Sequence, residues 1–119
     1  MSNIATTISQ SRKLIELGLD PNSADMYYPY LGAGQYGDTP RVGFPIEHSG
    51  GRDIPAWSLS ALLEVMPKPD LYREIADLWV CVAYFKEGSI RGFGETAIDA
   101  ACDVITKMFE RGYLKKKGG

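Results

Sequence analysis

Residues 78–114 read LWVCVAYFKEGSIRGFGETAIDAACDVITKMFERGYL, and this stretch decides the fold. Its first part, residues 78–86, is rich in aromatic and β-branched residues, which favour strands. Because successive side chains of a strand point to opposite faces, both faces of this strand are apolar, and we expect a central strand that is covered on both sides. Glu87-Gly88 or Gly88-Ser89 fits a tight turn, after which the chain returns and completes a hairpin at about 78–94.

The hairpin leads into a helix at about 97–111. Thr96 fits its N-cap, and Asp99, three residues later, completes a capping box at the positive end of the helix dipole. Apolar residues then recur at helical spacing and form one stripe that faces the core. The stripe consists of Ile98, Ala101, Cys102, Ile105, Met108 and Phe109. An antiparallel hairpin followed by an amphipathic helix predicts an α+β fold with a small antiparallel sheet.

The N-terminal part of the chain begins with a predicted helix at about 8–17. Thr7 fits its N-cap and Gln10 is the capping-box partner three residues later. Asp20-Pro21-Asn22-Ser23 predicts a turn, and a short second helix around residues 23–30 is expected after it.

A further helix is predicted at about 56–66, where apolar residues recur at helical spacing after Pro55. Asp53 or Ser58 fits its N-cap, and the two choices shift its start by several residues. Residues 71–75 fit either a third strand of the sheet or a helical turn. The helices are expected to pack on the small sheet.

The chain has 119 residues, which suits a single α+β domain over residues 1–119 with one modest core. Residues 32–53 are rich in Gly and Pro and predict a long loop, which in so small a domain is generally functional or disordered. Residues 115–119 predict a short basic tail in solvent.

Charge and hydropathy limit the partners of the chain. A net charge of −2 and a pI of about 5.3 give no overall basic field, so nucleic acid is an unfavourable partner. No apolar stretch approaches the ~18 residues of a membrane span, and the N-terminus lacks the features of a signal peptide. Cys81 and Cys102 lie in apolar segments and are expected as buried, reduced thiols. We expect a cytoplasmic protein without membrane contact, and its oligomeric state stays open.

None of the motifs of the chain supplies a catalytic set. Residues 32–37 satisfy the G-x-G-x-x-G spacing of dinucleotide sites, but Tyr28-Pro29-Tyr30 precedes them and Asp38-Thr39-Pro40 follows, which does not fit the βαβ unit that this motif needs. Residues 91–94, Arg-Gly-Phe-Gly, match the first half of an RNA-recognition pattern whose second half is missing. His48 is the only histidine and lies in a Gly-rich loop without nucleophile or metal-ligand spacing around it. The sequence therefore predicts no enzyme, no cofactor and no metal site.

The densest aromatic region of the chain lies beside the predicted loop and consists of Tyr27, Tyr28, Tyr30, Tyr36 and Trp57. Aromatic residues of this kind dominate binding hot spots, because they supply contact area at a low entropic cost. One interpretation is that they cover the edge of the core beneath the loop. The other is that they form the binding face for an unidentified protein partner.

The order of several segments along nearly the whole chain resembles a group of small uncharacterised proteins encoded in phage and prophage regions of gut bacteria. The segments are Ser11-Arg12-Lys13-Leu14, Leu17-Gly18-Leu19-Asp20-Pro21, Ala24-Asp25-Met26-Tyr27, Ile54-Pro55-Ala56-Trp57-Ser58-Leu59-Ser60-Ala61-Leu62-Leu63-Glu64, Gly94-Glu95-Thr96 and Asp99-Ala100-Ala101. The resemblance implies a mobile-element context and a fold similar to the phage α/β/α sandwich class. It assigns no activity and no site.

A shorter resemblance, to HicB-type antitoxins, covers Gly94, Glu95, Thr96, Asp99 and Ala100. These residues match the strand-to-helix junction Gly-[Asp/Glu]-Thr-x-x-[Glu/Asp]-Ala of that family. The leading hypothesis is a non-enzymatic accessory protein of phage or prophage origin that binds another protein. The alternative is a HicB-like antitoxin or nucleic-acid-associated regulator, for which a basic face near Arg91 is expected.

Overall fold

The computed structural model describes residues 4–43 and 52–114 and has an α+β fold. The helices and strands of these residues are, in chain order, α1 (Ile8–Leu17), β1 (Met26–Tyr28), β2 (Tyr30–Gly32), β3 (Gln35–Tyr36), β4 (Arg41–Val42), β5 (Ile54–Ala56), α2 (Leu59–Val65), β6 (Asp70–Ile75), β7 (Leu78–Phe85), β8 (Gly88–Gly94) and α3 (Ala97–Glu110). A short 3-10 turn, Pro21–Ser23, lies between α1 and β1. The strands pair antiparallel in three sheets, with the orders β4-β1-β5, β2-β3 and β6-β7-β8.

Helix α3 packs closely on one face of the β6-β7-β8 sheet. A Cβ atom added at Gly92 would lie 2.5 Å from the carbonyl oxygen of Ala100, and one added at Gly94 would lie 2.5 Å from Asp99 Cβ. Real Cβ atoms do not approach other atoms so closely, so the helix can rest on β8 only because these positions lack side chains.

The main core lies between this sheet and the helices. Its largest fully buried side chains include Trp57, Leu14, Leu62, Ile105 and Met108. Burial of an aliphatic or aromatic side chain contributes roughly 1.5–3 kcal/mol, so a cluster of this size is the principal source of stability. The stripe of apolar residues along α3 therefore faces the core, as its spacing predicts.

A second, smaller core lies beside the β4-β1-β5 sheet, and hydrogen bonds of Thr6 join the segment before α1 to it. The N–H of Thr6 donates to the carbonyl of Trp57 at 2.9 Å, and the N–H of Trp57 donates to Thr6 Oγ1 at 3.1 Å. The hydroxyl of Tyr28 donates to the carbonyl of Thr6 at 2.8 Å. The segment before α1 is thus tied to β1 and to the residue after β5.

Two of the three long predicted helices are confirmed, and the third begins later than predicted. α1 coincides with the predicted range 8–17, and α3 ends one residue before the predicted 111. The range 56–66 is wrong at its start, because Ala56 belongs to β5 and Ser58 is the N-cap, with its Oγ accepting from the N–H of Ala61 at 3.2 Å. Among the described residues, no helix is long and apolar enough to cross a membrane.

The short helix expected at 23–30 is wrong. Its residues form the end of the 3-10 turn and the strands β1 and β2. Tyr27 pairs with Pro55 on one side and with Arg41 on the other. These partners lie far along the chain, so the local pattern could not indicate the strand.

The predicted loop at 32–53 contains regular structure. β3 and β4 both lie inside it, and β4 is a strand because Val42 pairs with Met26 of β1. Residues 44–51, which include His48, and the predicted tail at 115–119 lie outside the described residues.

The predicted hairpin at 78–94 is confirmed, with β7 as the central strand. The third strand is also confirmed and begins at Asp70, one residue before the predicted 71. The turn lies earlier than either predicted choice, because Phe85 pairs with Gly88 and leaves Lys86 and Glu87 as the loop.

Candidate functional site

Three of the five aromatic residues predicted to form a binding face lie in the interior. Tyr27 and Tyr28 are 9% and 7% exposed, and Trp57 is fully buried. The indole N–H of Trp57 donates to Ser23 Oγ at 2.9 Å. Burial raises the pKa of the Tyr28 phenol, whose hydroxyl keeps its proton and donates to Thr6. These three side chains hold the core together and offer almost no surface to a partner.

Tyr30 and Tyr36 remain partly exposed and meet across the β2-β3 hairpin. Their ring centroids are 5.3 Å apart at an interplanar angle of 60°, which is an edge-to-face contact. The Tyr30 hydroxyl accepts from the N–H of Gly34 at 3.1 Å, and the Tyr30 N–H donates to Asp53 Oδ1 at 2.8 Å. The hairpin therefore presents the two rings in a fixed orientation.

Two arginines lie over these rings. The guanidinium carbon of Arg12, on the exposed side of α1, is 5.7 Å from the ring centroid of Tyr36. The guanidinium carbon of Arg52 is 5.3 Å from the ring centroid of Tyr30. Neither guanidinium forms an ion pair with a carboxylate in the part of the chain that the structure describes. We call the four residues the arginine–tyrosine surface.

The arginine–tyrosine surface is suited to binding. Tyr and Arg are enriched among the residues that dominate interface energies, and a guanidinium can pair with a carboxylate through two parallel hydrogen bonds. The sequence indicated the tyrosines but missed the arginines, because Arg12 belongs to α1 and Arg52 is separated from the β2-β3 hairpin by residues 37–51. In the sequence, only the position of Arg12 on the predicted exposed side of α1 could have indicated that it belongs to a binding surface.

The two cysteine thiols do not have the environment of a nucleophile. Burial, with a smaller effect of nearby carboxylates, raises the pKa of Cys81 to about 11 and that of Cys102 to about 12. Both thiols are protonated near neutral pH, whereas the thiolate is the reactive form. In residues 4–43 and 52–114, no group of three or more His, Cys, Asp or Glu side chains is placed to hold a metal ion.

The prediction that β7 is covered on both sides is confirmed at its centre, because Cys81 and Ala83 on one face and Val80 and Val82 on the other are at most 1% exposed. The second face of the β6-β7-β8 sheet is open only around these two valines. Both α3 and the end of α2 lie on the inner face, where Met66 Sδ contacts Cys81 Sγ at 3.6 Å. On the other face, Tyr72, Tyr84 and Phe93 are 38%, 45% and 45% exposed. We call this surface the open face; its members are Asp70, Tyr72, Val80, Val82, Tyr84, Arg91 and Phe93.

Comparisons with protein-family models, with curated proteins and with solved structures found no match to this chain.

Proposed function

We propose that this protein is a non-enzymatic accessory protein of a phage or prophage that works in the cytoplasm by binding another protein through the arginine–tyrosine surface. The observation that carries the proposal is the pair of guanidinium groups over Tyr30 and Tyr36, since neither has a carboxylate partner among the described residues. The resemblance to phage- and prophage-encoded proteins supports the mobile-element context.

The arginine–tyrosine surface is ordered before a partner arrives. The hydrogen bond from Gly34 to the Tyr30 hydroxyl holds the Tyr30 ring, the bond to Asp53 holds the Tyr30 backbone, and the edge-to-face contact holds Tyr36. Side chains that are already fixed lose little conformational entropy on binding, so more of the contact free energy remains as affinity. This arrangement favours recognition of a partner without a large rearrangement of the hairpin.

The positive charge of the arginine–tyrosine surface indicates the chemistry of the partner. Arg12 and Arg52 present N–H donors to a carboxylate, and the tyrosine rings present apolar contact area beside them. A protein segment that carries Asp or Glu next to apolar side chains would satisfy both. Because the arginines are exposed, the association rate should fall as the salt concentration rises.

The test is a comparison of two arginine substitutions that differ in location. A partner is first captured from host lysate, identified, purified and titrated by calorimetry. We expect Arg12→Ala/Arg52→Ala to weaken its affinity at least about tenfold, because hot-spot truncations commonly cost more than 1 kcal/mol each. Arg73→Ala is the matched control, since Arg73 also lies over an aromatic ring, at 5.9 Å from the centroid of Trp79, but outside this surface.

Two results would contradict the proposal. One is an identified partner that binds the double variant as tightly as the wild type. The other is turnover in a broad hydrolase or nuclease screen by a protein that captures no partner at all.

A HicB-like antitoxin or nucleic-acid-associated regulator is the second candidate. It is favoured by the order of β6, β7, β8 and α3, in which Thr96 and Asp99 form the strand-to-helix junction, and by the exposed Arg91 on the open face. This candidate requires a small toxin gene beside the coding sequence and binding of RNA or DNA that Arg91→Ala weakens. An isolated gene together with no retardation of nucleic acid would remove it.

A further inference from the structure

The open face has a regular arrangement of charge and aromatic groups in two rows across the three strands. In one row, Tyr72 and Phe93 flank Val80; in the other, Asp70 and Arg91 flank Val82. The two valines are buried, whereas the four outer residues are exposed. One row therefore has an aromatic residue at each end, and the other has opposite charges, with Asp70 on β6 and Arg91 on β8.

The edge of β8 is closed against further strands. Asp103 and Lys107 of α3 form an ion pair at 3.0 Å beside it. The N–H of Phe93 donates to Asp103 Oδ2 at 3.0 Å, and Lys107 Nζ donates to the carbonyl of Arg91 at 2.9 Å. The side chains of α3 therefore take the hydrogen-bonding positions that a neighbouring strand would occupy.

The edge of β6 is only partly available for pairing with another strand. Asp70 Oδ1 accepts from the N–H of Leu71 at 2.9 Å, so that donor is engaged within the strand. The pairing register with β7 shifts between Arg73 and Ile75, and such a bulge interrupts a regular ladder. Association by strand addition is therefore disfavoured at both edges, and the open face remains as the surface through which the sheet can pair.

We propose that the open face binds the open face of a second copy of this chain. A two-fold axis parallel to β7 and midway between the two facing sheets places β6 of one copy over β8 of the other. Asp70 then meets Arg91 of the second copy, and Tyr72 meets Phe93, each contact occurring twice. Sheets packed face to face with nearly aligned strands are a common arrangement.

Charge complementarity selects this axis. Within one chain, Asp70 and Arg91 lie on strands separated by β7, about 10 Å apart, and no ion pair joins them. In the dimer each finds an opposite charge. A two-fold axis perpendicular to the strands would place β6 over β6, so that neither residue would meet its counter-charge.

The area of the open face limits the affinity of the dimer. Three strands spaced about 4.8 Å apart give a surface smaller than the ~800 Å² per partner of a standard interface. The dimer is accordingly weak and dependent on concentration. This association uses a surface different from the arginine–tyrosine surface and does not depend on the proposed function.

Sedimentation equilibrium on the full chain at concentrations up to about 1 mM tests the dimer. We expect wild type to dimerise, and Asp70→Arg and Arg91→Asp each to remain monomeric, because like charges then face each other twice. An equimolar mixture of the two variants should form a 1:1 heterodimer, because both contacts again join opposite charges. Lys86→Asp, with the same change of charge in the turn outside the open face, should dimerise as wild type does.

Three outcomes would overturn the proposal: a wild type that stays monomeric, single variants that dimerise as strongly as wild type, or a mixture that remains monomeric. Circular dichroism of each variant confirms that it is folded. Dimerisation of the mixture would itself show that both variants retain the open face.

Discussion

Gln10 and Asp99 lie 89 positions apart in the chain, and the side-chain amide of Gln10 donates to Asp99 Oδ1 at 2.7 Å. The side-chain oxygen of Gln10 accepts from the N–H of Thr7 at 2.9 Å, and the N–H of Asp99 donates to Thr96 Oγ1 at 3.1 Å. One side chain therefore links the N-terminal caps of α1 and α3.

Substitution of Gln10 tests the importance of this link for stability. Gln10→Ala removes both of its hydrogen bonds, and we expect the free energy of unfolding to fall by about 1–2 kcal/mol in urea titrations. Gln10→Glu keeps the oxygen that accepts from Thr7 but places a carboxylate against Asp99. We expect Gln10→Glu to be less stable than wild type at neutral pH, because two negative charges then face each other. Ser9→Ala, on the exposed side of α1, is the control, and a Gln10→Ala variant as stable as this control would show that the link contributes nothing.

The contact of α3 with bare backbone predicts that Gly92 does not tolerate a side chain. The added Cβ of Gly92→Ala would lie 2.5 Å from the carbonyl of Ala100 and 2.6 Å from the backbone nitrogen of Val104. Overpacking of this kind costs about 1–3 kcal/mol or more, since the helix must move away from the sheet. Thermal unfolding should show a clear decrease of the melting temperature, whereas Ser89→Ala on the exposed side of the same strand should leave it nearly unchanged. Equal melting temperatures for the two variants would refute the rigid contact.

We expect removal of the ion pair beside β8 to increase aggregation more than it lowers stability. Asp103 and Lys107 are partly exposed, so solvent screening limits their contribution to less than about 1 kcal/mol. Asp103→Ala/Lys107→Ala should free the edge of β8 and accelerate the growth of thioflavin-positive aggregates, because unpaired edge groups template further strands. Glu110→Ala changes an exposed charge on the same helix and should not accelerate growth. A double variant that aggregates no faster than wild type would contradict the protective role.

The raised pKa values of the cysteines predict inert thiols in the folded protein. The pKa of Cys81 is about 11 and that of Cys102 about 12, against an ordinary value of 9.0. A thiol-specific disulfide reagent at pH 8 should label neither residue until the protein is unfolded, and an exposed Ser89→Cys variant supplies the positive control. Rapid labelling of the native wild type would contradict this expectation.

The same shifts give a pH dependence of stability. Because the folded-state pKa lies above the unfolded value, the protonated thiols stabilise the native state fully below about pH 9. This contribution is lost as the pH rises from the unfolded pKa of 9.0 towards 11 and 12. Urea titrations between pH 8 and about 11 should show the free energy of unfolding decreasing with pH, and a Cys81→Ala/Cys102→Ala variant should show a smaller decrease.

The elements that could be predicted from the sequence are those whose signals are local. The capping box of Thr7 and Gln10 defines the start of α1, and the apolar spacing after Thr96 defines α3. The strands β1 and β5 could not be predicted, because they are strands through pairing with distant residues: Tyr27 pairs with both Arg41 and Pro55. A local pattern records propensity, whereas a two- or three-residue strand depends on a partner elsewhere in the chain.

The candidate site could be predicted only in part for a similar reason. Aromatic composition drew attention to Tyr30 and Tyr36 but could not separate them from the buried Tyr28 and Trp57. Burial is a property of the whole fold. The contact of Arg12 with Tyr36 likewise depends on the placement of α1 against the hairpin.

The hydrogen bonds of Thr6 have a consequence for folding during translation. Thr6 lies 51 positions before Trp57, its partner in two hydrogen bonds. At about 5–20 residues per second, Thr6 is synthesised roughly 3–10 s before that partner. By contrast, β6 to α3 are contiguous in the sequence and their contacts are local, so the segment before α1 should form its native hydrogen bonds later than neighbouring elements of that unit form theirs.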